Sequence, residues 1–183
     1  MQKYTEQDII EGCKAQEQAF QRLLYEKMYN LFLKICMRYT QCQQDAELVL
    51  HDGFLKIYTN IQAYQYKGSF EGWMKRILIN TCLDYVKSKS QVYKKQTDYK
   101  EEMFEFNISS NDINALEQMS MQEILEEIRT LPPVSQTVFN LFAIDGYSHK
   151  EISVALQITV GTSQWHVNNA RKILQEKLKH LYK

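Results

Sequence analysis

No proline interrupts the first 131 residues, and the chain's two prolines stand side by side at Pro132 and Pro133. Only six glycines occur in 183 residues. A chain so free of breakers, and rich in Leu, Ile, Gln, Glu and Lys, is expected to form long α-helices. Apolar spacing supports this. Phe20, Leu23, Leu24, Met28, Leu31 and Ile35 recur near a 3.6-residue period within Ala15 to Arg38. Val49, Leu50, Phe54, Ile57 and Ile61 do so from Asp45 to Asn60. Trp73, Met74, Ile77, Leu78, Thr81 and Tyr85 do so from Phe70 to Ser88. A shorter helix, Glu6 to Cys13, opens on a capping box of Thr5 and Asp8. Four amphipathic helices can close a small bundle.

The period decays after Ser90. The stretch QVYKKQTDYKEEMFEFNISSND reads as a linker. Helicity is expected again from Asn114 to Thr130, stopping at the prolines. These suit the first turn of a further helix running to Ile144, with Gly146 past its end. Ser148 and Glu151 form a second capping box before a helix over Lys150 to Leu156. Gln157-Ile158-Thr159 is a tight connection, and Thr159 caps a last helix from Val160 to Leu181. A short helix, a three-residue turn and a longer helix make a helix-turn-helix. The expected fold class is all-α, with two small helical domains (residues 1–90 and 114–183) joined by an acidic linker (91–113).

Formal net charge is zero, but the charge is distributed in blocks. Residues 61–100 carry eight basic and three acidic groups. Residues 101–130 carry one and eight, and residues 131–183 carry six and three. Phosphate-binding surfaces require local rather than global positive charge. Cys13, Cys36, Cys42 and Cys82 form no C-x-x-C pair, and the four histidines show no ligand spacing. The cysteines are read as buried, reduced thiols of a cytoplasmic protein, with neither metal nor cofactor. The N-terminus lacks a signal-peptide apolar core, and no apolar run spans a bilayer, so membrane insertion is not expected. H-E-x-x-H, a phosphate-binding glycine loop and a nucleophile elbow are all missing, so the chain is not expected to be an enzyme.

Three stretches, in order, resemble the extracytoplasmic-function (ECF) sigma factors of the sigma-70 superfamily. DAELVLHDGFLKIY, Asp45 to Tyr58, looks like the family's region 2.2 helix. FEGWMKRILINTCLDYVKSK, Phe70 to Lys89, resembles the pattern F-x-x-W-L-x-R-I-x-x-N-x-x-x-D-x-x-R. Residues 131–174 look like sigma region 4. The resemblance implies a subunit that directs RNA polymerase to promoters. Its partners would be core RNA polymerase (the coiled coil of the largest subunit and the flap region), promoter DNA and an anti-sigma factor. A stand-alone helix-turn-helix regulator is the alternative. Such a regulator would carry a ligand or receiver domain in place of the helical bundle.

On this resemblance, polymerase binding falls to Asp45, Glu47, Leu48, Asp52, Phe54 and Ile57. Recognition and melting of the −10 element fall to Tyr64, Tyr66, Lys67, Phe70, Trp73, Lys75, Arg76 and Asn80, around a base pocket over Ile61 to Ser69. Aromatics interleaved with cations suit single-stranded DNA, where bases stack and phosphates are neutralised. The −35 element falls to Thr162, Ser163, Gln164, His166, Asn169, Arg171 and Lys172. The N-terminal part of such a helix enters the major groove. Many relatives read G-T-V-K-S-R-L-x-R-A-R there. This chain keeps Gly161, Thr162, Ala170 and Arg171 but places Gln164, His166 and Asn169 where cations are usual.

Overall fold

The computed structural model describes residues 4–40, 42–94 and 126–179, without the side chains of 90–94. The described residues are helical and contain no strand. The chain divides into two units between Gln96 and Thr97.

In the first unit α1 spans Glu6–Lys14, α2 Gln18–Met37, α3 Gln43–Asn60 and α4 Phe70–Lys94, with a 3-10 turn at Ile61–Ala63. The Thr5/Asp8 capping box forms as expected. α2 begins three residues later than the periodicity suggests. Gln16 takes a left-handed φ of 59°. The Gln16 N–H then bonds the Cys13 carbonyl and the Glu17 N–H bonds the Gly12 carbonyl, closing α1 as a Schellman motif. α4 starts on Ser69, whose hydroxyl accepts from the Gly72 N–H. It continues past Ser88 to Lys94, so residues 91–94, expected in the linker, are helical. The rest of the expected linker and the start of the helix expected from Asn114 lie outside the described residues.

α2, α3 and α4 pack on one another, and α1 packs on α2. Leu24, Met28, Phe32, Ile35 and Cys36 form the buried stripe of α2. Leu31, expected inward, points outward, while Phe32 is fully buried. Val49, Leu50, Phe54 and Ile57 meet that stripe from α3, and Met74, Leu78 and Cys82 from α4. Gly53 matters here: a Cβ would lie 2.5 Å from Leu78 Cδ1, so the glycine lets α3 and α4 approach closely. The Cys36 and Cys82 sulfurs lie 4.0 Å apart in this core as free thiols. Burial pushes the Cys13 thiol up to about 11. Cys42, read as buried, is instead exposed just before α3.

In the second unit residues 126–129 are helical, α5 spans Pro133–Phe139, α6 His149–Leu156 and α7 Val160–Leu178. Both expected caps, Ser148 with Glu151 and Thr159, form. The helix expected to Ile144 does not stay α-helical. Asn140–Ile144 is a π turn, closed by the Asp145 N–H on the Asn140 carbonyl. The wider turn keeps Asn140 and Leu141 buried. It also brings Phe142 onto the His149 ring, with centroids 4.3 Å apart. Gln157 supplies the left-handed residue between α6 and α7, with φ 57°. Ile128, Leu131, Ala170, Leu174 and Leu178 form a core cluster, with Phe139 and Ile173 against it.

Candidate polymerase and nucleic-acid interfaces

The α3 helix has a buried and an outer face. Phe54 and Ile57, assigned to polymerase binding, are buried, and Phe54 packs against Phe32 at 5.7 Å. They support the helix from inside rather than touch a partner. Asp45 is also engaged within the unit, accepting from the Tyr85 hydroxyl at 2.7 Å. That bond holds its carboxyl below the usual carboxylate range. Glu47 accepts from Gln43 Nε2 at 2.9 Å. Leu48 and Asp52 remain on the outer face, and Asp52 pairs with Lys56 at 3.2 Å. Seven residues beyond Leu48 stands Leu55. The two are 66% and 65% exposed, two helical turns apart on one side. Leu55 was not singled out from sequence. Its signal was available: the spacing from Leu48, off the stripe of Val49, Leu50, Phe54 and Ile57.

The loop before α4 carries the aromatic group. Tyr64, Phe70 and Trp73 form a contiguous cluster, with centroid separations of 5.1 to 5.8 Å. Tyr64 and Phe70 are buried, and Trp73 is half-buried. The Tyr64 hydroxyl donates to the Gly68 carbonyl at 2.9 Å, so this ring braces the loop from beneath. Tyr64 and Phe70 are therefore supports rather than stacking surfaces for a base. Tyr66 stands outside, 48% exposed, against the Tyr64 ring at 5.1 Å. Its φ is 59°, which for a tyrosine costs ~1 kcal/mol or more. Lys67 is exposed beside it. Gly68, at φ 85°, supplies the reversal that leads into α4. On α4 itself Arg76 and Asn80, one turn apart, are exposed on one side. Lys75 is paired with Glu71 at 2.6 Å.

The outer face of α7 carries Val160, Gly161, Gln164, Arg171 and Lys172, with Asn168 half-buried. Sequence reasoning does not single out Asn168, although it falls on the stripe that Gln164 and Arg171 define. Ser163 and His166 do not belong to it. Ser163 is fully buried with its hydroxyl 3.0 Å from His149 Nδ1. His166 is buried with Nδ1 3.0 Å from the Ser135 hydroxyl. Asn169 Nδ2 donates to the same hydroxyl at 3.4 Å. Ser163, His166 and Asn169 thus join α7 to α5 and α6. Thr162 is half-buried, its N–H and hydroxyl both on the Thr159 hydroxyl. Gly161 is informative because the fold does not require it. A Cβ there would meet only Thr159 Oγ1, at an ordinary 3.7 Å.

Burial, and then the nearby Arg171 charge, lower the pKa of His149 from its ordinary 6.5. The folded chain therefore resists a proton that the unfolded chain accepts below about pH 6.5. The stability concerned is complete above that pH and is lost as pH falls from 6.5 toward the depressed folded value. Thermal melting of the α5–α7 unit should fall between pH 7.5 and 5.5, and His149→Gln should flatten the dependence. An unchanged slope in that variant excludes His149 as its source.

No described helix is long and apolar enough to cross a membrane, and no metal-binding cluster occurs among the described residues. Residues 24–92 match the family model for sigma-70 region 2, and residues 121–174 match the model for sigma-70 region 4. The chain is 22% identical over 187 residues to the ECF RNA polymerase sigma-E factor of Haemophilus influenzae, covering 98% of both. It is 24% identical to the RNA polymerase sigma-H factor of Pseudomonas aeruginosa, covering 96% of this chain and 95% of that one. Among solved structures it resembles the sigma factor RpoE of Bartonella quintana, crystallised with the anti-sigma factor NepR. The TM-score is 0.53 at 15% identity, over 86% of this chain and 96% of that one. Matches to both regions in order, on the all-helical fold they require and with relatives spanning nearly the full length, place this chain in the sigma-70 superfamily as an ECF RNA polymerase sigma factor.

Proposed function

We propose that the two units divide promoter recognition between them. Residues 1–90 dock on core RNA polymerase and capture the melted −10 strand. Residues 114–183 hold the −35 element as duplex, and the segment 91–113 joins them. The outer face of α3, with Leu48, Asp52 and Leu55, receives the coiled coil of the largest polymerase subunit. Tyr66, Lys67, Arg76 and Asn80 face the −10 strand, with Trp73 at the edge of the aromatic cluster. Gln164, Arg171 and Lys172 face the −35 duplex, while Thr162 orients the start of α7.

The observation that carries this reading is the outer face of α7. A neutral hydrogen-bonding side chain, two cations and a glycine the fold does not need lie at one surface. Close backbone approach to DNA accounts for the glycine, and the cations suit phosphates. The protein is read as a non-enzymatic factor acting in the cytoplasm, where core polymerase works. An anti-sigma factor is the expected regulator, as the RpoE–NepR pair illustrates for a protein of the same fold.

In vitro transcription with core polymerase on promoter fragments tests the whole reading. Start sites should appear only when this chain is added, and failure to bind core would end it. Within the −35 element, Gln164→Ala should cost about 1–3 kcal/mol of discrimination at one base position. Lys172→Ala should instead weaken all sequences alike and reduce the salt slope by about one. Equal discrimination before and after Gln164→Ala would remove that residue from base reading.

A further inference from the structure

We infer that α1, which precedes the residues matched by the region 2 model, positions the −10 loop through Glu11, Lys14 and Tyr66. This rests on the reading of that loop as the −10 element's binding surface.

Three contacts reach from α1 to the chain around the loop. The Tyr66 hydroxyl donates to Glu11 Oε1. The Lys14 ammonium lies over the Tyr66 ring at 4.5 Å and 3.4 Å from its hydroxyl. Gln62 Nε2 donates to the Lys14 carbonyl at 2.7 Å, fixing the start of the loop to the end of α1. Lys14 and Glu11 also pair with each other at 3.6 Å. Glu11 and Lys14 lie three apart on one helix face, so one rigid element presents both charges to one phenol.

The contacts fall where the backbone most needs them. Tyr66 is exposed and holds a left-handed φ that tyrosine seldom adopts. Without an external tie the residue would relax, and the turn between Tyr64 and Ser69 with it. The tie lowers the Glu11 carboxyl pKa, chiefly through the Tyr66 hydrogen bond. A loop already in its binding shape does not lose ordering entropy when a base enters. Glu11 and Lys14 need not touch DNA for this. They act through Tyr66 and are positioning residues.

The test is open-complex formation by the full chain with core polymerase, followed by 2-aminopurine fluorescence at −10. Core affinity is measured in parallel. Glu11→Ala and Tyr66→Phe should each slow opening about three- to tenfold, the net scale of one solvent-exposed hydrogen bond, with core affinity unchanged. The two together should be no worse than either alone. Glu11→Gln, whose amide oxygen still accepts from the phenol, should restore most of the rate. Lys67→Ala reports on the loop itself. If Lys67→Ala slows opening while Glu11→Ala and Tyr66→Phe match the parent, the positioning role is refuted. If all three match the parent, the loop is not the −10 surface, and that assignment falls as well. A slowing accompanied by an equal loss of core affinity would reduce α1 to a general folding role and also overturn the inference.

Discussion

The double substitution Leu48→Asp with Leu55→Asp is expected to weaken binding to core RNA polymerase by at least ~100-fold while the first unit stays folded. Both leucines are about two-thirds exposed, so neither contributes much to the core. Their exposure is unusual beside the neighbouring stripe of Ala46, Val49, Leu50, Phe54 and Ile57, which is buried. Burying a leucine at an interface is worth about 1.5–3 kcal/mol. The few residues that dominate an interface cost about 2 kcal/mol or more each when truncated. Aspartate in place of each leucine removes that gain and adds a charge to be desolvated on docking. Asp52, between them and paired with Lys56, already makes the surface acidic at this point. Added carboxylates are therefore not expected to create a new attraction strong enough to compensate for the lost apolar contact. The measurement is core affinity by fluorescence anisotropy, with circular dichroism to confirm helicity. Parent-like affinity in a folded double variant would show that the outer face of α3 is not where polymerase docks.

Phe32→Ala is expected to destabilise the first unit by about 3–5 kcal/mol, the range for removing a buried aromatic ring. Phe32 is fully buried on α2 and faces Phe54 of α3. Its removal takes away contact between two helices and leaves a cavity that close packing cannot collapse completely. Small domains are stable by only about 5–15 kcal/mol, so much of the margin would go. Docking and −10 capture should fail together on warming, because α3 and α4 depend on the same core. The second unit builds its core from Ile128, Leu131, Ala170, Leu174 and Leu178. Its amide hydrogen exchange should therefore stay at the parent level. A loss of less than about 1 kcal/mol, or equal loosening of both units, would contradict this account.

Both predictions turn on details that sequence reading partly mistook. The period of α2 was clear, yet Leu31 was placed inside and Phe32 was missed. Phe32 lies between Met28 and Cys36 in the middle of the buried stripe, while Leu31 falls off its side; a hydrophobic period flanked by further apolar residues does not fix how the helix is rotated toward its neighbours. For the aromatic loop, composition draws attention to Tyr64, Tyr66, Phe70 and Trp73, which the fold brings into one cluster. It could not show that Tyr64 and Phe70 lie beneath while Tyr66 lies on top. α7 shows the sharpest difference. Ser163 and His166 are polar residues at positions that would ordinarily suggest a groove. Their partners, His149 and Ser135, lie 14 and 31 residues away.

The sequence by itself determined the helices, most of their caps and the order of the two sigma regions. Those features depend on local spacing: a 3.6-residue period, a hydroxyl three residues before a carboxylate, a proline pair at a first turn. Tertiary structure alone decided which polar and aromatic side chains are spent inside the protein and which remain for DNA or polymerase. A buried serine or histidine is tolerated only where a partner from another helix satisfies it, and the chain's local pattern does not say which helix will arrive.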